Sequence, residues 1–138
     1  MKAAITKPSD REIRIERIFN APRDRVWKAI TDQNGIKEWF PGLSDCTSKD
    51  NVRHVTTTQG IEVDEEVVTN DGDLRRFQYR LLPGPVPVEQ HLATVDVIED
   101  GDRSLVIYAV DVQPDAFREP RQQTVEAALA GLKQHVER

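Results

Sequence analysis

Apolar residues recur along this chain in two rhythms, and the change of rhythm divides it. From Leu43 to Val112 the period is two, as in strands that bury one face. Six stretches carry it: Leu43 to Lys49, Val52 to Thr58, Ile61 to Thr69, Leu74 to Leu81, Val88 to Ile98 and Ser104 to Val112. The breaks are Asp50-Asn51, Gln59-Gly60, Asn70 to Asp73, Pro83-Gly84-Pro85 and Glu99 to Asp102. Connections this short join antiparallel neighbours, so the strands form a meander. Glu12 to Asn20 adds a strand in front, with Ile13, Ile15 and Phe19 on one side and Arg17 interrupting that side.

Outside this block the period is helical. Val125, Ala128, Leu129, Leu132 and Val136 recur at i, i+3, i+4, i+7 and i+11 and predict an amphipathic helix over Pro120 to Arg138. One flank of that helix carries Thr124, Ala128, Gly131 and His135, mostly short side chains, which predicts room beneath it. Near the start, Asn20-Ala21-Pro22-Arg23 reads as a helix start with Pro22 in the first turn. Val26, Trp27 and Ile30 give this helix its buried side, Thr31 to Gly35 ends it, and Ile36 to Phe40 adds a further helical turn before Pro41-Gly42. The predicted class is α+β: a seven-stranded curved antiparallel β-sheet wrapped around a long C-terminal helix, with two short helices between strands 1 and 2. The curvature follows because one helix cannot cover a flat sheet of that width.

Composition narrows the partners. A chain of 138 residues suits one domain, expected over residues 11–138 behind a polar, unpatterned tail at 1–10 that is expected to be flexible. The net charge of −5, with both signs mixed along the chain, argues against nucleic acid as a partner. Cys46 is the single cysteine, which excludes an internal disulfide and suits a reducing compartment. No apolar run approaches the roughly 18 residues of a membrane span, and the N-terminus lacks a signal-peptide core. A soluble, cytoplasmic protein is expected, monomer or homodimer.

Strand parity selects the inner-face residues. Arg53, Val55 and Thr57 share a face; Ile61, Val63, Glu65 and Val67 share the next; then come Phe77, Tyr79 and Leu81; His91, Ala93, Val95 and Val97; and Val106, Tyr108, Val110 and Val112. A one-residue bulge would invert any of these sets. As read, the face is apolar apart from Arg53, Glu65, Tyr79, His91 and Tyr108, the profile of a ligand pocket. Glu65 among valines needs a partner, and Arg53 is the natural one. Three roles stay open for the pair: a structural ion pair, a ligand anchor, or, through Glu65, a general acid or base. Candidate proton-transfer residues are Glu65, His91 and Tyr79. Candidate ligand contacts are Arg53, Val55, Thr57, Val63, Glu65, Tyr79, Leu81, His91, Ala93, Tyr108 and Val110 from the sheet, with Thr124, Ala128 and Gly131 from the last helix. No metal site is expected, since His54 falls on the opposite parity and no second His or Cys stands at ligand spacing from His91. Trp27 and Trp39 read as core anchors, and Cys46, alternating with Ser44 and Ser48, as a rim residue on an edge-like strand. No phosphate loop, nucleotide fingerprint or Ser-His-Asp spacing is present, and no cofactor is expected.

The pattern Asn20-Ala-Pro-Arg-Asp-Arg-Val-Trp27, Trp39-Phe-Pro-Gly42, Val52-Arg53, Glu65, Arg76-Phe-Gln-Tyr79, Gly84-Pro-Val-Pro87 and Ala93-Thr94 resembles the START/Bet v 1-like (SRPBCC) superfamily, and within it the bacterial polyketide cyclase/dehydrase and lipid-transport-like group. The resemblance spans about residues 12–137. It implies a helix-grip fold with a hydrophobic cavity, and a function of binding or carrying a small hydrophobic or amphipathic ligand such as a lipid or polyketide. The alternative it implies is a cyclase or dehydratase using acid/base residues in the same cavity. The chain departs from the pattern at Phe40, where relatives often carry histidine and plant hormone receptors a lysine. It departs again at His91 and Tyr108, where tyrosine and tryptophan are frequent. The Gln59-Gly60 connection is too short to resemble the receptors' gate loop.

Overall fold

Seven strands form one antiparallel sheet in the order β1-β7-β6-β5-β4-β3-β2 in the computed structural model, which describes residues 12–138. The tail expected over residues 1–10 lies outside the described residues. The strands are β1 Ile13–Phe19, β2 Leu43–Lys49, β3 Val52–Thr57, β4 Glu62–Asp71, β5 Arg76–Leu81, β6 Gln90–Asp100 and β7 Arg103–Gln113. Helix α1 spans Arg23–Thr31 and α2 Arg118–Val136, with 3-10 segments at Gln33–Glu38 and Asp115–Phe117. From β2 to β7 each strand pairs with the next, as short hairpins dictate, and only β1 leaves that order by pairing with β7. The chain therefore crosses from one edge of the sheet to the other between β1 and β2. Helix α1 and the first 3-10 segment make that crossing.

Local chemistry explains the helix ends. Pro22 takes the N-cap of α1 with no side-chain cap, and Val26 and Ile30, four apart, are buried. Asp32 closes α1 through its N–H to the Lys28 carbonyl, and its carboxylate accepts from the Gly35 N–H at 3.2 Å to open the 3-10 segment. The polar turn expected to end the helix thus also begins the next one. Helix α2 starts at Arg118, ahead of the expected Pro120, and buries Val125, Ala128, Leu129, Leu132 and Val136. These residues pack with Phe19, Val26, Phe77, Val97 and Val106, all almost fully buried. Each such large apolar side chain contributes about 1.5–3 kcal/mol by leaving water. Polar ties fix the last turns of α2: Lys133 Nζ donates to the Ile18 carbonyl at 3.0 Å, and Glu137 Oε2 accepts from the Asn20 N–H at 2.6 Å.

Two expectations from the sequence are corrected by packing. At Gly131 an added Cβ would lie 2.1 Å from the Trp39 carbonyl oxygen. The small residue lets the Trp39 backbone press against α2, and no room is left beneath it. Cys46 does lie on an edge strand, yet it faces inward and is buried. The β2 register slips between Leu43 and Asp45, which reverses the parity and sets Cys46 opposite Val55. Its thiol donates to the Gln33 carbonyl at 3.0 Å, and burial pushes its pKa up. A second irregularity, between Val67 and Thr69 in β4, falls beyond the residues assigned inward, so Ile61 to Val67 keep their parity.

Candidate functional site

Adjacent strands bring Arg53 and Glu65 into register, and the guanidinium Nε donates to Glu65 Oε1 at 2.6 Å. Arg53 is 2% exposed and Glu65 14%. Arg53 also donates to Gln33 Oε1 at 3.2 Å and lies 4.3 Å above the Tyr79 ring centroid, a cation–π contact. Burial alone would pull the pKa of Arg53 down, but the charge and hydrogen bond of Glu65 together with the Tyr79 and Tyr108 phenols turn the net direction upward. The Tyr79 hydroxyl meets the Tyr108 hydroxyl in a short hydrogen bond. Burial, then the Glu65 charge, pushes Tyr79 up to about 12. Burial and the neighbouring Tyr79 raise Tyr108 well above an ordinary phenol. Both phenols stay neutral, and Arg53 stays charged.

Above this polar layer lies a cavity of about 280 Å³. The structure brings Arg53, Val55, Thr57, Val63, Glu65, Tyr79, Leu81, His91, Tyr108, Val110 and Thr124 around it. Ala93, Ala128 and Gly131 do not line it. Ala93, fully buried, is opposite Tyr79 on one side and Val110 on the other; Ala128 is closed into the core of α2, and Gly131 meets Trp39. Sequence reasoning did not assign Ile36, Phe40, Pro41, Gly42, Leu43, Val86, Arg121 and Val125 to the lining, which they complete with Ile61. Phe40, Pro41, Gly42 and Val86 come from loops, where no period reports the facing. Arg121 carried a signal, because it stands three residues before Thr124 on the flank already singled out.

His91 is held by the end of a ladder. The β5–β6 pairing stops at Tyr79 and Ala93, which would leave the Leu81 N–H without a strand partner. His91 Nδ1 accepts it at 3.1 Å. A backbone N–H can only donate, so the neutral ring carries its proton on Nε2. Burial, then the charges of Arg121 and Arg53, drives the His91 pKa down to about 4. The three candidate proton-transfer residues thus engage different partners: Glu65 binds Arg53, Tyr79 binds Tyr108, and His91 binds Leu81. Tyr79 and His91 are ring neighbours, with centroids 5.8 Å apart, and no hydrogen bond joins them. His54 lies outside, between Asp64 at 2.7 Å and Glu62 at 2.8 Å. Among the described residues, no group of three or more His, Cys, Asp or Glu side chains is placed to hold a metal ion. No described helix is long and apolar enough to cross a membrane.

Comparison with solved structures places this architecture among known ones. The protein XoxI from Bacillus cereus is 21% identical with a TM-score of 0.83, covering 91% of this chain and 94% of that one. A START superfamily protein from Mycobacterium smegmatis is 14% identical with a TM-score of 0.79, covering 91% and 97%. The di-domain ARO/CYC protein BexL, from the BE-7585A biosynthetic pathway, is 16% identical with a TM-score of 0.81, covering 91% of this chain and 46% of BexL. At these identities the likeness is one of fold. Comparison with curated proteins gave no sequence match. A family model, described as polyketide cyclase / dehydrase and lipid transport, matches residues 10–137. With that match over nearly its whole length, on a curved sheet gripping a C-terminal helix, the chain belongs to the polyketide cyclase/dehydrase and lipid transport family.

Proposed function

We propose that this protein binds a small amphipathic molecule in the cavity between the sheet and the first turns of α2. One observation carries the reading: an apolar-walled cavity whose polar groups are mostly committed to one another and not set in an acid–base chain. Apolar walls with a few fixed polar groups suit recognition. Proton-transfer chemistry of the cyclase or dehydratase type needs groups whose pKa lies near the working pH. Tyr79 is displaced to about 12 and His91 to about 4, both away from neutrality, and the Glu65 carboxylate is bonded to Arg53. At about 280 Å³ the space sits at the small end of ligand pockets, which run from about 300 to 1,000 Å³. A single ring or a short chain fills it.

Native mass spectrometry of protein purified from its own host tests the reading, with an apolar fluorescent dye as a second probe. A co-purifying small molecule, or dye binding that Thr124→Leu abolishes, supports it. A chain that is empty and also binds no dye overturns it. If a cognate substrate is turned over, and Glu65→Gln abolishes turnover while binding persists, the protein is an enzyme.

A further inference from the structure

Two arginines reach the cavity, and they stand in opposite electrostatic states. Arg53 is neutralised by Glu65 at 2.6 Å and covered by the Tyr79 ring. Arg121, in the first turns of α2, lines the same cavity half-buried. Among the described residues no carboxylate pairs with it. The lining therefore holds two guanidinium groups against one carboxylate, although the chain as a whole is acidic. The excess positive charge is at Arg121.

A second donor lines the same cavity. His91 has its Nδ1 taken by the Leu81 N–H, so its remaining hydrogen-bonding group is the Nε2–H, a donor. Both residues line the same cavity, and after burial the Arg121 charge is the main influence holding that ring neutral. Both are donors, and neither can accept. A carboxylate accepts from both and neutralises the guanidinium; a neutral acceptor makes weaker bonds and leaves the charge unmatched, and a cation is repelled. The inner end of the cavity offers the paired Arg53 and Glu65 and the walls Val55, Val63 and Val110, which suit an apolar body and give a second charge no free partner.

We propose that the cavity selects a small amphiphilic monoacid, its carboxylate held by the Arg121 guanidinium and the His91 Nε2–H and its apolar body packed against Val55, Val63 and Val110. This rests on the binding reading above and adds the ligand's chemical class and its direction of entry, apolar end first.

Isothermal titration of the intact chain with phenylacetate and with its uncharged amide tests the class, because the two probes share a shape and differ in charge. The acid is expected to bind about tenfold tighter than the amide, the scale of one charge-assisted bidentate contact. Arg121→Gln should remove that preference, weakening the acid about tenfold and the amide by less, and Arg121→Lys should restore part of it. An unchanged thermal midpoint establishes that the variants are folded. Equal binding of acid and amide, or a preference that survives Arg121→Gln, overturns the monoacid proposal and leaves the binding reading standing. Failure of both probes to bind, together with failure of the apolar dye, overturns both.

Discussion

Helix α2 covers two unlike halves of one interior. Beneath Ala128, Leu129, Leu132 and Val136 the space is solid, filled by Phe19, Val26, Phe77, Val97 and Val106 and closed by the Trp39 backbone against Gly131. Beneath Arg121, Thr124 and Val125 it is hollow. The partition is a polar layer: Arg53 bonded to Glu65 and Gln33 and stacked on Tyr79, with Tyr79 bonded to Tyr108. Arg53, Tyr79 and Tyr108 touch both sides, lining the cavity above and a water-sized void toward Ile30, Trp39 and Val95 below. The contrast teaches how a small domain keeps a cavity without collapsing into it. A satisfied layer of charge and phenol cannot be filled by apolar side chains without stranding buried polar groups.

Breaking the partition should have the largest effect. Arg53→Leu leaves the Glu65 carboxylate without its cation and is expected to destabilise the fold by about 3–5 kcal/mol, read by urea unfolding. Arg53→Leu with Glu65→Leu should recover most of that loss, because no charge is then stranded. If the single variant costs nothing, the layer is not what separates the two halves.

The solid half is probed next. Gly131→Ala sets a methyl where the Trp39 carbonyl lies 2.1 Å away, so a backbone must shift, at about 3 kcal/mol or somewhat less. Thermal or urea unfolding measures it, and a stabilised variant would show that this end of α2 has slack.

His91 gives the hollow half a pH dependence. Its folded pKa, about 4, lies below the ordinary 6.5, so the unfolded chain binds its proton first as the pH falls. The stabilisation is complete above about pH 6.5 and is lost between there and pH 4. The shift corresponds to about 2 kcal/mol after allowance for partial exposure. His91→Gln keeps an acceptor for the Leu81 N–H and removes the titration, so urea midpoints at pH 7 and pH 4 should lie closer together in the variant than in the parent chain. His54 runs the other way: its bonds to Glu62 and Asp64 raise its pKa, and its contribution is lost as the pH rises through that raised value. Comparing parent with variant cancels it.

The smallest change in stability is expected from Thr124→Leu, within about 1 kcal/mol, because the added methyl groups enter space and not packed atoms. Its effect on binding should be large. The same kind of enlargement at two positions seven residues apart on one helix thus separates the halves: folding suffers at Gly131, and ligand affinity, measured by dye or acid titration, suffers at Thr124.

Much of this was legible in the chain. Glu65 stood among inward-facing valines one strand from Arg53, and the β3–β4 register set them opposite each other as parity required. Cys46 was misplaced because a register slip in β2 leaves no mark in the hydrophobic alternation around it. Gly131 was misread because a small residue admits either a void or a neighbouring backbone, and local pattern does not distinguish them. Arg121 was missed because the flank was traced only from Thr124 onward.

By itself, the sequence determined the seven strands, the long last helix, the antiparallel meander and most of the inward faces, since these depend on local period and short turns. The family followed from motifs spread along the same order. Tertiary structure alone decided which half of the interior is hollow, which arginine keeps a free charge, and which nitrogen of His91 carries the proton. Those depend on contacts between residues far apart in the chain, such as Trp39 with Gly131 and Arg53 with Tyr79 and Gln33, and no local pattern encodes a distance across the core.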